Sequence, residues 1–144
     1  MDRPTRRPEL PPDPLRDHLV EVRRGLFRLH KALIDSERAV FEERHGPQSN
    51  GQFLQALIGD AHFEWLRPFT GVIVAMDEAL ATREPIAPEQ VRQFVSDAGA
   101  LVMPAEDSDT AARFAEARRR DATVSFLHGE LARRITEGPV DPAA

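Results

Sequence analysis

SNGQFLQALIGDAHFEWLRPFTGVIVAMDEALAT, residues 49–82, is the stretch on which the fold turns. Ser49 with Gln52 three residues on forms a capping box, two side chains satisfying backbone donors that a first helical turn leaves unpaired. Beyond it Leu54, Ile58, Ala61, Trp65, Val72, Ala75 and Ala79 keep the spacing of a helix that buries one stripe. A second row, His62, Leu66, Phe69, Ile73, Met76 and Leu80, lies beside the first and widens the apolar face. Pro68 sits inside this pattern, and because the rows hold their phase on both sides it predicts one long helix kinked near Leu66–Pro68.

Toward the N-terminus, Asp13-Pro14 opens another helix: Asp accepts at the N-cap, and Pro occupies a first-turn position where its missing N–H costs nothing. Leu15, Leu19, Val22, Leu26, Leu29, Leu33, Ser36 and Val40 then follow a heptad, which Gly46-Pro47 terminates. About three residues separate the two long helices, so they are expected to be antiparallel neighbours. Toward the C-terminus, a third helix spans about Pro88 to Met103. A fourth, capped by Ser108 or Asp107, carries Phe114, Ala117, Asp121, Val124, His128, Leu131 and Ile135 and stops at Gly138-Pro139. The expected architecture is all-α: an up-down-up-down four-helix bundle with a long first hairpin and a shorter third helix. Residues 13–138 form its single domain, between an N-terminal arm of residues 1–12, expected to be disordered, and a tail of residues 139–144.

Composition narrows the function classes. The 144 residues are 41% hydrophobic and 30% charged, with no cysteine, which removes disulfides and thiolate metal sites. A net charge of −5 argues against nucleic acid as a partner, and no apolar run is long enough for a membrane span. The first residues lack the apolar core of a secretory signal, so a cytoplasmic protein is expected. No phosphate-binding loop, nucleophile elbow or zinc-helix motif occurs, and no cofactor is expected.

Polar residues within apolar rows are the candidates for chemistry. Phe27, His30, Ile34, Glu37 and Phe41 make a second stripe on the first helix, and folding the hairpin about residues 47–48 brings His62 level with Leu33, between His30 and Glu37. His30, Glu37 and His62 are therefore a candidate ligand or interface cluster. A metal is one reading, but His30 and Glu37 stand seven residues, about 10.5 Å, apart and cannot share an ion on one helix. A His–Glu pair that fixes register is the commoner arrangement. At the other end Asp17, His18, Glu21, Asp77, Glu78, Asp121 and His128 only loosely resemble the His and carboxylate sets of haemerythrin-like and ferritin-like bundles. They read as a solvated bundle end. Arg118-Arg119-Arg120 likewise reads as a solvated face, since successive helical residues point about 100° apart. Asp60, Glu64 and Arg67 have the spacing to pair on an outer face.

HFEWLRPFTGVIVAMDEAL, residues 62–80, resembles a segment of bacterial all-helical proteins with no assigned activity. The resemblance implies a bacterial, soluble, helical protein and transfers no catalytic residue. Counting residues leaves the far end of the hairpin, Leu33–Phe41 against Phe53–Leu66, short of cover. Phe41, Phe53, Leu54, Leu57 and Trp65 are accordingly expected at an interface. The expected function is a non-enzymatic interaction or regulatory module that forms a homodimer through this hairpin or meets a protein partner. The alternative is a small-ligand or metal-binding bundle built on His30, Glu37 and His62.

Overall fold

The computed structural model describes residues 13–140; the expected arm 1–12 and the end of the expected tail, 141–144, lie outside the described residues. Within them the protein is all-helical, with six α-helices and no strand: α1 (Pro14–His45), α2 (Asn50–Gly59), α3 (Arg67–Ala81), α4 (Pro88–Val102), α5 (Asp109–Arg120) and α6 (Ala122–Glu137). A 3-10 turn, Ala61–Leu66, joins α2 to α3.

The organising element is α1. Asp13 accepts from the Arg16 amide at 3.0 Å, Pro14 fills the first turn, and Gly46, at φ +84°, ends the helix. Leu19, Val22, Leu26, Leu29 and Leu33 of the heptad are fully buried, each contributing about 1.5–3 kcal/mol against exposure. Around this seam pack α3, α4 and α6, joined near its C-terminal end by the 3-10 turn and α5. Gly25 permits the approach of α6, because a Cβ there would lie 3.0 Å from Leu131 Cδ1. The free carbonyl of Leu80, in the last turn of α3, is taken by the Arg16 guanidinium at 2.9 Å, which locks the hairpin end.

Two of the four expected rods are divided, which corrects the four-helix count to six. The stretch 49–82 breaks at Asp60, whose backbone is extended (φ −85°, ψ 139°) and whose carboxylate accepts from the His62 amide at 2.9 Å. Arg67 donates to the Asp60 carbonyl at 2.8 Å instead of pairing with carboxylates on an outer face. Pro68 is therefore not a mid-helix kink: it lies in the first turn of α3, where the absent N–H leaves nothing unmade. The last rod breaks at Asp121, which closes α5 and caps α6 by accepting from the Thr123 and Val124 amides at 2.9 and 3.3 Å. In both cases an Asp that can cap in an extended conformation outcompetes continuation of the helix.

The break at Asp60 also changes the hairpin. Only its α3 half lies along α1; α2 packs principally on the 3-10 turn, and none of its residues is buried. It is held at its N-terminal end, by the Ser49–Gln52 capping box and by Phe53, which stacks under the Arg38 guanidinium (4.3 Å) and against the edge of Phe63 (5.6 Å). The Leu33–Phe41 segment is covered after all: Leu33 and Phe41 are buried, with His62 and Phe63 of the 3-10 turn against Phe41 and Arg120, at the C-terminal end of α5, on Ser36 and Glu37.

Candidate functional site

Ser36 and Glu37 interrupt the apolar surface of α1 side by side, and both are buried. A buried carboxylate needs compensating charge or donors, and two other elements supply them. Arg120, the last residue of α5, places Nη2 3.1 Å from Glu37 Oε1 and donates from Nε and Nη2 to Ser36 Oγ at 3.2 and 3.0 Å. His62, at the start of the 3-10 turn, brings Nε2 to 2.7 Å from Glu37 Oε2. That approach is at ion-pair distance but lacks the alignment of a directed hydrogen bond. Aromatic rings wall the group from water: Phe63 meets His62 edge-on at 4.8 Å, and Phe41 lies 5.6 Å away.

Of the candidate cluster, Glu37 and His62 come together and His30 does not. The His30 ring lies parallel to Phe69 with centroids 5.7 Å apart, and it faces the Leu66 carbonyl. Burial lowers its pKa, against the opposing pull of that carbonyl. Both carboxylate oxygens of Glu37 are already engaged, and among the described residues no three His, Asp or Glu side chains are close enough to hold a metal. The arrangement suits a structural clamp joining α1, the 3-10 turn and α5.

At the opposite end Asp77 binds Arg23 through both oxygens, at 2.7 and 3.2 Å. His18, expected at a solvated end, is buried, and among the described residues its Nε2 has no hydrogen-bond partner. Burial first, and the Arg134 charge second, lower its pKa. His128 is held against α4, with Nε2 2.8 Å from the Val102 carbonyl. No family model, curated protein or solved structure matches this chain. The resemblance of residues 62–80 thus gains no family from comparison, and functional argument rests on the geometry.

The apolar candidates divide as well. Phe41 and Trp65 belong to the core, Trp65 with its ring edge toward Phe114 (5.9 Å). Phe53 and Leu57 are half-buried, while Leu54 is 56% and Ile58 68% exposed. Of these candidates, only Leu54, on the outer face of α2 beside Ile58, is exposed. Sequence reasoning missed Arg120, which it assigned to solvent, and read Ser36 only as a heptad position. The available signal was Ser36-Glu37 itself, two polar residues on buried stripes that require a cationic partner.

Proposed function

We propose that this protein is a non-enzymatic helical interaction module that self-associates through α2. The observation that carries the reading is α2 itself: ten residues with no charged side chain, none of them buried, in a chain where 30% of residues are charged. A second copy is the occupant that such a face fits. With a net charge of −5, two copies repel over most of their surfaces, whereas two uncharged helices related by a two-fold axis meet without confronting like charges. In this picture α1, α3, α4 and α6 are the rods of an up-down-up-down body, and α2 supplies its docking edge.

Phe53, Leu54, Leu57 and Ile58 from both copies, each already partly covered, contribute about 1–1.5 kcal/mol apiece on burial, or roughly 8–12 kcal/mol gross. Association costs at least about 4 kcal/mol, so the dimer is expected between roughly millimolar and micromolar affinity. Sedimentation equilibrium on wild type and Leu54→Glu tests this. Leu54 is exposed, so its substitution leaves the monomer folded. A concentration-dependent dimer lost in the variant is expected. A wild type that remains monomeric at about 0.5 mM, well inside the affinity range above, rules the interface out. The ligand-binding alternative has Glu37 and His62 in contact but His30 stacked elsewhere, and no observation favours it over the interaction module.

A further inference from the structure

The elbow between α4 and α5 frames an open cavity of about 310 Å3, remote in role from α2. Its floor is apolar and well covered by protein, with Val102 and Phe114 1% and 2% exposed. Ala111 and Ala115, one turn apart on α5, leave open the space that longer side chains would fill. Met103 flanks the opening, 47% exposed, and its unbranched thioether adapts readily to an apolar guest. A concave apolar site with few placed polar groups is the usual form of a small-molecule site.

Two polar side chains give the cavity a direction. His128 donates from Nε2 to the Val102 carbonyl, an acceptor only, and its ring edge packs on Phe114 at 5.1 Å. Burial lowers the pKa of His128. The Val102 carbonyl opposes that shift and Arg118 adds to it, so the ring contributes shape and no charge at neutral pH. Arg118 is the cation. Among the described residues it has no carboxylate partner, and its guanidinium carbon lies 5.8 Å from the centre of the Phe114 ring. A planar guanidinium with free donors beside an apolar floor matches a carboxylate that carries an apolar body. From Ala111 to Arg118 the wall runs about 10.5 Å, which sets the length of that body. Glu106, also on the lining, repels negative charge, so an anion is favoured only where Arg118 holds it.

We propose that this cavity binds an amphipathic monocarboxylate, its apolar body on Phe114 and Met103 and its carboxylate on Arg118. Titration with sodium octanoate and with 4-phenylbutyrate, followed by amide chemical shifts and Trp65 emission, tests it. Trp65 packs edge-to-face with Phe114 at 5.9 Å and so reports on the floor. Saturable shifts centred on residues 102–118 and His128 are expected for at least one acid. Octan-1-ol should bind about tenfold more weakly than octanoate, and Arg118→Gln should remove that preference. Ala115→Trp, which fills the cavity, should abolish binding with an unchanged helical circular dichroism spectrum. Equal affinity for acid and alcohol, an Arg118→Gln variant that binds like wild type, or shifts centred on Leu54 and Ile58 would each overturn the proposal.

Discussion

Replacing Arg120 with Met tests the clamp most directly, since it keeps an unbranched stem and removes the guanidinium. The change strips Glu37 of the contact at 3.1 Å and Ser36 Oγ of two donors, leaving a carboxylate that is 7% exposed with His62 alone. Breaking a buried ion pair costs about 3–5 kcal/mol. Arg120 is itself 31% exposed and His62 remains in place, so water screening and the surviving partner reduce the expected loss to about 2–3 kcal/mol. For a chain of this size that is a fall in Tm of roughly 5–10 °C. Glu37→Leu alone leaves the Arg120 guanidinium and His62 Nε2 without their acceptor. The double variant should therefore be destabilised by clearly less than the sum of the single ones, with a coupling of about 1–2 kcal/mol. Urea unfolding at pH 7.5, followed by Trp65 emission and circular dichroism, measures all three. An Arg120→Met protein within about 0.5 kcal/mol of wild type, or strict additivity, refutes the clamp.

Two further outcomes are expected. Asp60→Ala should cost about 1 kcal/mol and speed amide exchange at His62, whereas Pro68→Ala, altering a first-turn position, should cost less; the reverse order would put the bend back at the proline. The folded pKa values of His18, His30 and His128 are lowered from 6.5, chiefly by burial, so the unfolded chain binds more protons below that value. Stability should be full above about pH 6.5 and decline as pH falls toward the folded values, with a shallower decline in His30→Leu. A urea midpoint unchanged between pH 7.5 and pH 5 contradicts this.

The helical class and most boundaries were legible because they depend on local chemistry. Asp13, Ser49 with Gln52, and Ser108 cap helices in the structure, and Gly46 and Gly138 end them with positive φ. The breaks at Asp60 and Asp121 were not read, because the apolar rows keep their phase across them; Asp60, off those rows, looks the same in sequence as a solvated Asp, whereas Asp121, a carboxylate inside the apolar row, was the signal of its break. Counting back along the hairpin put His62 level with Leu33, between His30 and Glu37; the structure sets it against Glu37, about one helical turn further along α1. Arg120 could not be placed that way. Its reach to Glu37 depends on where α5 starts and on its termination one residue later, both tertiary outcomes.

Asp121 alone separates α5 from α6, and one residue has only two soft torsions. The angle between the helices is thus a two-variable joint, and the side chain tied to Glu37 sits immediately beside the pivot. Along a twelve-residue arm of about 18 Å, rotation at this joint displaces the Asp109 end more than the end held by Arg120. Phe114 and Ala117, seated in the core, share with the Arg120 brace the task of limiting that rotation. The width of the α4–α5 elbow is in this sense geared to a carboxylate buried at the other end of α5.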